Sequence, residues 1–477
     1  MHTPQTKRLN HRLMLGAAAA CLLVACGGDQ LAGIQGSGSP VAAGVTAVGP
    51  ITAFGSIILG GVEYATSGAQ IRIDDQPGAE SQLRVGQIVT LKGTVNADGT
   101  TGTATDVSFA ADLRGPVTQI DLVNNTFTVL GQTVRVTDAT LFDDSVQPAD
   151  LAGLQAGAVV QVSGFANAAG DLVASRVDTP AAGAGLQVKG AVQSLDTTAR
   201  TFRINALTVD YSGVMPTDTL ANASVVIVRG TSFTTSGALV AGRVQVLGGL
   251  GAAPSDRGQL EGLVTSFVSN ADFVVDGQRV LTDGSTNFVL HGAMLGVDAR
   301  VEVRGTFNAS GALVASKVEV KSQSLSLVRG LVDSVSAASK SLTVLGVSVT
   351  VASATSFEDR SSQHVRLFGL ADVRSGDYVE IRGTPNAAGG GVLATLVERD
   401  NPEARSYVQG VALSVADPNL TILGITVATD AQTHFIGLSG QTRTAAQFFS
   451  EAPNQIVNVR GTLSGSVLIA DQAQIKH

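Results

Sequence analysis

Few side chains in this sequence are spaced for chemistry. The six histidines, His2, His11, His291, His364, His434 and His477, stand singly, and no two share the spacing of metal ligands on one element. Turns such as Asp98-Gly99 lack the alternating acidic pattern of a calcium loop. Asp143-Asp144 and Glu358-Asp359-Arg360 read as solvated loop charge, with a weak cation site as the other reading. No Gly-x-Ser-x-Gly elbow is present, and histidine is too sparse for a triad. Gly248-Gly249-Leu250-Gly251 lacks the Lys-Ser/Thr ending of a phosphate loop. Paired carboxylates stay open as a catalytic route, because 39 acidic residues always allow some pair in space. No metal and no cofactor are expected.

One polar feature does recur. Lys92, Arg229, Arg304, Arg382 and Arg460 each stand one residue before a glycine, with Ser163 as the exception. The alternation around them puts them on the outward side of a strand. Two readings follow. They are solubilising charges that discourage edge pairing, or they form a basic ridge that binds an anionic envelope polymer by many weak contacts at once.

The elements that carry these residues are written six times. Each copy has a strand of the form apolar-x-apolar-polar-Gly, as in Val301-Glu302-Val303-Arg304-Gly305 and Val379-Glu380-Ile381-Arg382-Gly383. Three residues before its first apolar position stand Gly86, Gly157, Ala223, Asp298, Gly376 and Asn454, mostly residues that tolerate left-handed backbone. A Gly-led strand opens each copy, at 49, 115, 190, 262, 330 and 410. Hairpins follow around Leu130-Gly131, Asp276-Gly277, Leu345-Gly346 and Leu423-Gly424. Four copies carry Thr-x-Phe, at Thr140, Thr286, Thr355 and Thr433, whose Phe reads as a core plug. A second hairpin, such as Asn308-Ala309-Ser310-Gly311, leads out of the motif strand.

About five short strands in roughly 70 residues predict a small closed or half-closed barrel, which removes edge strands. The fold class expected is all-β: a tandem array of six small β-barrels, OB-like or SH3-like, over 45–112, 113–179, 186–248, 257–321, 327–399 and 407–477. Linkers are expected at 180–185, 248–256 and 401–406. Stacked end to end, strands of about 20 Å each would build a rod on the order of 100 Å.

The N-terminus reads as an export signal over 1–25. Lys7, Arg8 and Arg12 precede an apolar run over 13–24, too short for a membrane-spanning helix. Leu23-Val24-Ala25-Cys26 resembles a bacterial lipoprotein cleavage box, which makes Cys26 the lipidation residue. Gly27 follows, where an aspartate would favour the inner membrane, so the expected location is the cell envelope at the outer membrane. Residues 26–44 read as a flexible tether. With Cys21 inside the signal, no thiol is left for a disulfide or zinc.

A net charge of −8, no Trp and only 4 Tyr argue against nucleic acid as a partner. The repeated lines together resemble a family of uncharacterised bacterial lipoproteins with tandem Gly/Val-rich β-barrel domains, known as a domain of unknown function. That resemblance covers nearly the whole mature chain and implies no catalytic residue. The expected function is a non-catalytic, lipid-anchored envelope protein with a structural or interaction role. The alternative is a glycan- or peptide-binding module, and the third reading an enzyme with a site in one copy. Expected partners are the membrane, through the lipid, and an envelope polysaccharide or envelope protein.

Overall fold

The computed structural model describes residues 43–476 except 55, 138, 148–149, 291–292, 322–325, 387–390 and 439–440. The expected signal, Cys26 and the tether up to residue 42 lie outside the described residues, as does most of the copy-five turn at 386–389.

Copy four shows how the repeated lines close. Its five principal strands are Arg257–Ser269, Asp272–Val275, Gln278–Leu281, Arg300–Phe307 and Leu313–Val320, with a short Asn287–Val289 beside the last. The first pairs antiparallel with the second, and the second with the third. The third pairs parallel with the fifth. The fifth then pairs antiparallel with the fourth, and the fourth with the first. The five strands form a closed circuit. The same circuit recurs in copy one, copy two, copy five and copy six. In the segment called copy three the opening strand is interrupted at Val192, between Leu186–Ala191 and Gln193–Asp196. Alternate residues of the short second and third strands are buried, as the sequence period requires. One α-helix, Ala445–Glu451, was not foreseen; it packs Phe448 against Phe435 of copy six, with ring centres 5.0 Å apart.

The repeated residues have repeated physical causes. All six residues ahead of the motif strand have positive φ, from 61° at Asn454 to 91° at Gly376, and Ala223 adopts it at 68° without being glycine. The motif glycine sits at a register shift between fourth and fifth strands in every instance. A Cβ there would meet a backbone carbonyl oxygen of the fifth strand, at 2.0 Å for Gly93, Gly305 and Gly461, 2.1 Å for Gly383, 2.3 Å for Gly230 and 2.5 Å for Gly164. The Thr of Thr-x-Phe holds the other side of that bulge. Thr140, Thr286 and Thr355 donate to the carbonyls of Ala174, Ala315 and Ala394 at 2.7 Å, and Thr433 to Ala470 at 2.8 Å. Each of those alanines pairs with the motif glycine. Both motifs therefore serve one bulge.

The expected rod is not what forms. The second strand covers only the C-terminal half of the first, so closure leaves the N-terminal half of the first strand with an open side. Copies satisfy it in pairs. Leu113 and Arg114 of copy two pair antiparallel with Val188 and Gln187. Residues 327–329 of copy five pair antiparallel with 407–409 of copy six. Residues 45–48 of copy one pair parallel with 257–260 of copy four, skipping two copies. Buried apolar residues run continuously across copies two and three and across copies five and six. Polar contacts then join the pairs. Arg229 reaches Asp75, Lys189 reaches Asp276, and Ala168 N–H donates to Asp298. Copy five docks on copy one through Arg366, which donates to the carbonyls of Ser81 and Leu83. Serial beads would touch only their neighbours in sequence; here copy one touches copies two, three, four and five. Residues 42–477 accordingly form one compact unit. It starts before the boundary expected at 45, because Ala43 and Gly44 already pair with Val95 and Thr94. The linkers expected at 180–185 and 248–256 carry no strand, and the one expected at 401–406 ends a residue earlier, because Ser406 already begins a strand.

Candidate functional site

The five recurring basic residues do not form an outward ridge. Three of them turn into seams between copies. Arg229 donates from Nε to Gln187 at 2.7 Å and pairs with Asp75 of copy one at 2.6 Å. Arg304 pairs with Glu302 at 2.7 Å and donates to the carbonyl of Gly60 in copy one. Arg382 pairs with Glu380 and donates to the carbonyl of Thr140 in copy two at 3.0 Å. Lys92 is exposed and donates to the carbonyl of Gly251 in the linker before copy four, at 3.0 Å. Arg460 is exposed on copy six. The outward face of one barrel is the docking face of the next, which strand alternation alone could not reveal. Cys26 lies outside the described residues.

The densest polar site is a row of carboxylates on the wall of copy five. Glu358 and Glu398 are register partners in the parallel pair of Val347–Asp359 with Val392–Asp400. Glu398 and Glu380 are partners across the antiparallel pair of Val392–Asp400 with Tyr378–Pro385. Glu380 is in turn the partner of Arg329 on Ser326–Ser336. Like charges directly opposite one another on adjacent strands repel. Arginines of the facing copy and of copy five itself supply the compensation. Arg176 of copy two, 3% exposed at its side chain, pairs with Glu358 at 2.8 Å and with Asp178. Arg360, 4% exposed, pairs with Asp144 of copy two at 2.7 Å and approaches Glu398 at 3.7 Å.

These surroundings separate the three acids. Burial, helped by the neighbouring charge of Glu380, pushes Glu398 up to about 8. Burial also raises Glu358 against the pull of Arg176. Burial would raise Glu380 as well, but Arg382 and Arg329 outweigh it and hold the carboxyl below its ordinary range. Glu398 is thus the member of the row that holds its proton toward neutral pH.

The acidic pairs read from the sequence as solvated loop charge, or as a weak cation site, belong to this seam. Glu358 lies within a strand and is largely buried, and the cation that Asp144 and Glu358 hold is an arginine from the opposite copy. Among the described residues no group of three or more His, Cys, Asp or Glu is arranged to hold a metal. His364, exposed in copy five, lies 3.6 Å from Asp144, and His434 lies on copy six. His2, His11, His291 and His477 fall outside the described residues. The sequence signal for the row was present but scattered: Glu380, Glu398 and Glu358 become neighbours only once strand register is known. Among the described residues no helix is long and apolar enough to cross a membrane.

Two clefts open along the seams. One, of about 340 Å³, lies between copies one and four and is lined by Tyr64, Arg257, Gln259 and Arg304 among others. The other, of about 380 Å³, lies between copies one, two and three, where Asp74 faces Arg114, Arg229 and Arg243.

Set against known families, the sequence matches the model of a domain of unknown function, DUF5666, five times, over residues 45–108, 114–178, 261–319, 329–398 and 409–473. Residues 186–248 lie outside these matches. A comparison with curated proteins finds no match. Two solved structures show local likeness. One is Drosophila Unr CSD456, at 14% identity over 44% of this chain and 97% of that one, with a TM-score of 0.12. The other is a multidomain protein with nucleic acid binding domains from Streptococcus pneumoniae, at 12% identity over 44% of this chain and 72% of that one, also with a TM-score of 0.12. The partner expectations do not stand beside these matches. Composition had excluded nucleic acid and favoured an envelope polysaccharide or protein, yet a structure with local likeness is described as carrying nucleic acid binding domains. Those expectations are withdrawn, and likenesses this distant put no other partner in their place.

Proposed function

The chain belongs to the family of the domain of unknown function DUF5666, and from that footing we propose a non-catalytic protein of the bacterial cell envelope, lipid-anchored through Cys26, whose folded part is a compact structural block. The observation that carries this reading is the use to which the recurring charges are put. Arg229, Arg304 and Arg382 join one copy to another, and so does the carboxylate row. Side chains that a catalytic site or a binding ridge would present are taken up in holding the block together. In this reading residues 186–248 are a sixth, divergent copy, since their strands follow the circuit of the other five. The copies are OB-like and not SH3-like: each is a five-stranded barrel in which the third strand runs parallel to the fifth. The positive segment, the short apolar run and the small residues before Cys26 support export and lipidation, and Gly27 favours the outer membrane. The test is metabolic labelling with palmitate followed by membrane fractionation, comparing the native chain with Cys26→Ser. Label and outer-membrane recovery that both vanish in Cys26→Ser support the reading. A native chain that takes up no label, or fractionates as soluble, refutes it.

A further inference from the structure

One barrel core departs from all the others at a single pair of positions. Where third and fifth strands meet, copies two to six pair Val134 with Leu172, Val209 with Leu239, Val280 with Leu313, Val349 with Val392, and Val427 with Leu468. Copy one instead pairs Tyr64 with Gly102. The exchange is steric: a Cβ on Gly102 would lie 2.8 Å from the Tyr64 ring and 2.4 Å from the Thr94 carbonyl oxygen. Phenylalanine would fill the same space, so the size of the ring does not account for its hydroxyl. Tyr64 is 0% exposed, and its hydroxyl has no hydrogen-bond partner. A buried polar group left unpaired is costly and calls for an explanation.

Tyr64 belongs to the lining of the cleft of about 340 Å³ between copies one and four, within the size range of small-molecule sites. Val45, Val62 and Val95 give this cleft an apolar wall. Its ionisable lining is Tyr64, Arg257 and Arg304, with no carboxylate among the lining residues. Glu302, next to Arg304, is already compensated by Arg304 and by Lys321 at 2.6 Å. Burial raises the Tyr64 hydroxyl to about 12, so it stays a neutral donor at physiological pH.

We propose that this cleft is a binding site for a small organic carboxylate, received by the Tyr64 hydroxyl and the Arg304 guanidinium, with its apolar body against the valine wall. The donors select an anionic acceptor, and the valines select an organic acid over an inorganic anion. The site is independent of lipid anchoring.

The test is saturation-transfer NMR on the full chain with benzoate as the probe, against benzamide and inorganic phosphate. Benzoate should bind with a Kd below about 10 mM, at least tenfold tighter than benzamide. Tyr64→Phe keeps the ring and its packing while deleting the hydroxyl; it should weaken benzoate binding about tenfold and leave the urea unfolding midpoint unchanged or raised. Failure of benzoate to bind would overturn the proposal, as would benzamide or phosphate binding equally well. Undiminished binding to Tyr64→Phe would remove the hydroxyl from the site and overturn it as well.

Discussion

Replacing Gly305 with alanine tests the account of the repeated motif most directly. The added Cβ would lie 2.0 Å from the Val314 carbonyl oxygen, 2.7 Å from its carbon and 2.8 Å from the Ala315 Cα. Ordinary van der Waals contact begins near 3.4 Å, so fourth and fifth strands must part by more than about 1 Å. All three obstructing atoms are backbone, and no rotamer change relieves them. Overpacking of this kind costs about 1–3 kcal/mol. Parting the strands also weakens the ladder bonds on either side, each worth about 1 kcal/mol. The expected loss is ~3–5 kcal/mol, comparable with the whole stability of a barrel this size at ~0.1 kcal/mol per residue. Urea unfolding of the full chain, followed by far-UV circular dichroism, should show part of the transition moved to low urea or lost. Gly284→Ala in the same copy is the control, because nothing lies within 4 Å of the Cβ it would add; it should stay within about 0.5 kcal/mol of the native chain. If Gly305→Ala is as harmless as Gly284→Ala, the motif glycine is not there to keep the bulge clear and the steric argument fails.

Thr355→Val keeps the shape of the side chain but removes the hydroxyl that donates to Ala394 at 2.7 Å and accepts from the Ala352 N–H at 2.9 Å; a loss of ~1–3 kcal/mol is expected in the same unfolding assay. Glu398 sets a pH dependence: its carboxyl is raised from 4.5 to about 8, so the stability gained by holding its proton is complete below about pH 4.5 and is lost as pH climbs through about 8. Stability measured between pH 5 and 8 should therefore fall with rising pH, by at most about 1.4 kcal/mol per unit, and Glu398→Gln should flatten that slope; an unchanged slope would place the proton elsewhere. Deleting residues 407–477 uncovers the half-edge at 327–329 and should drive self-association visible by sedimentation velocity. A deletion chain that sediments with the native chain's association state would count against the half-edge.

Much of the barrel was legible because its signals are local. Left-handed turns, the hairpins at Leu130-Gly131 and Asp276-Gly277, and the alternation of buried residues depend on neighbours a few positions apart, and each appears where the sequence puts it. Copy three was harder to read because it reaches the same ends with other residues. Thr234 accepts from the Ala238 N–H at 3.0 Å, where Asn308 accepts from the Ala312 N–H at 3.0 Å. The site was less legible. Arg304 and Arg382 were recognised as recurring, yet the side they face is decided by a copy far away in sequence: Gly60 lies 244 residues from Arg304, and Thr140 lies 242 from Arg382. Tyr64 was passed over because a lone aromatic is unremarkable until it is aligned with five aliphatic residues across strand register.

The same geometry explains why the copies come together at all. A barrel whose second strand covers half of its first has one row of unpaired N–H and C=O groups left over. Charge alone blunts such an edge poorly, because the backbone groups stay exposed to any strand that arrives. Pairing two first strands removes both rows at once, so the first strands meet in twos: copy one with copy four, copy two with the segment 186–248, copy five with copy six. Within two of those pairs the buried apolar residues are continuous, while the contacts between pairs add ion pairs and hydrogen bonds to the seating of Leu141 and Leu396 against the core of copy one. The two kinds of contact respond differently to solution conditions. Salt screens the more exposed ion pairs between pairs of barrels, such as Arg229 with Asp75, more than the buried pair of Arg176 with Glu358, and leaves apolar burial intact. Glu398 adds its own response to pH, at the seam that holds copy five against copy two. Loosening at high salt or high pH should thus separate the pairs before it unfolds any barrel, so the pair, and not the single copy, is the unit in which this molecule is assembled.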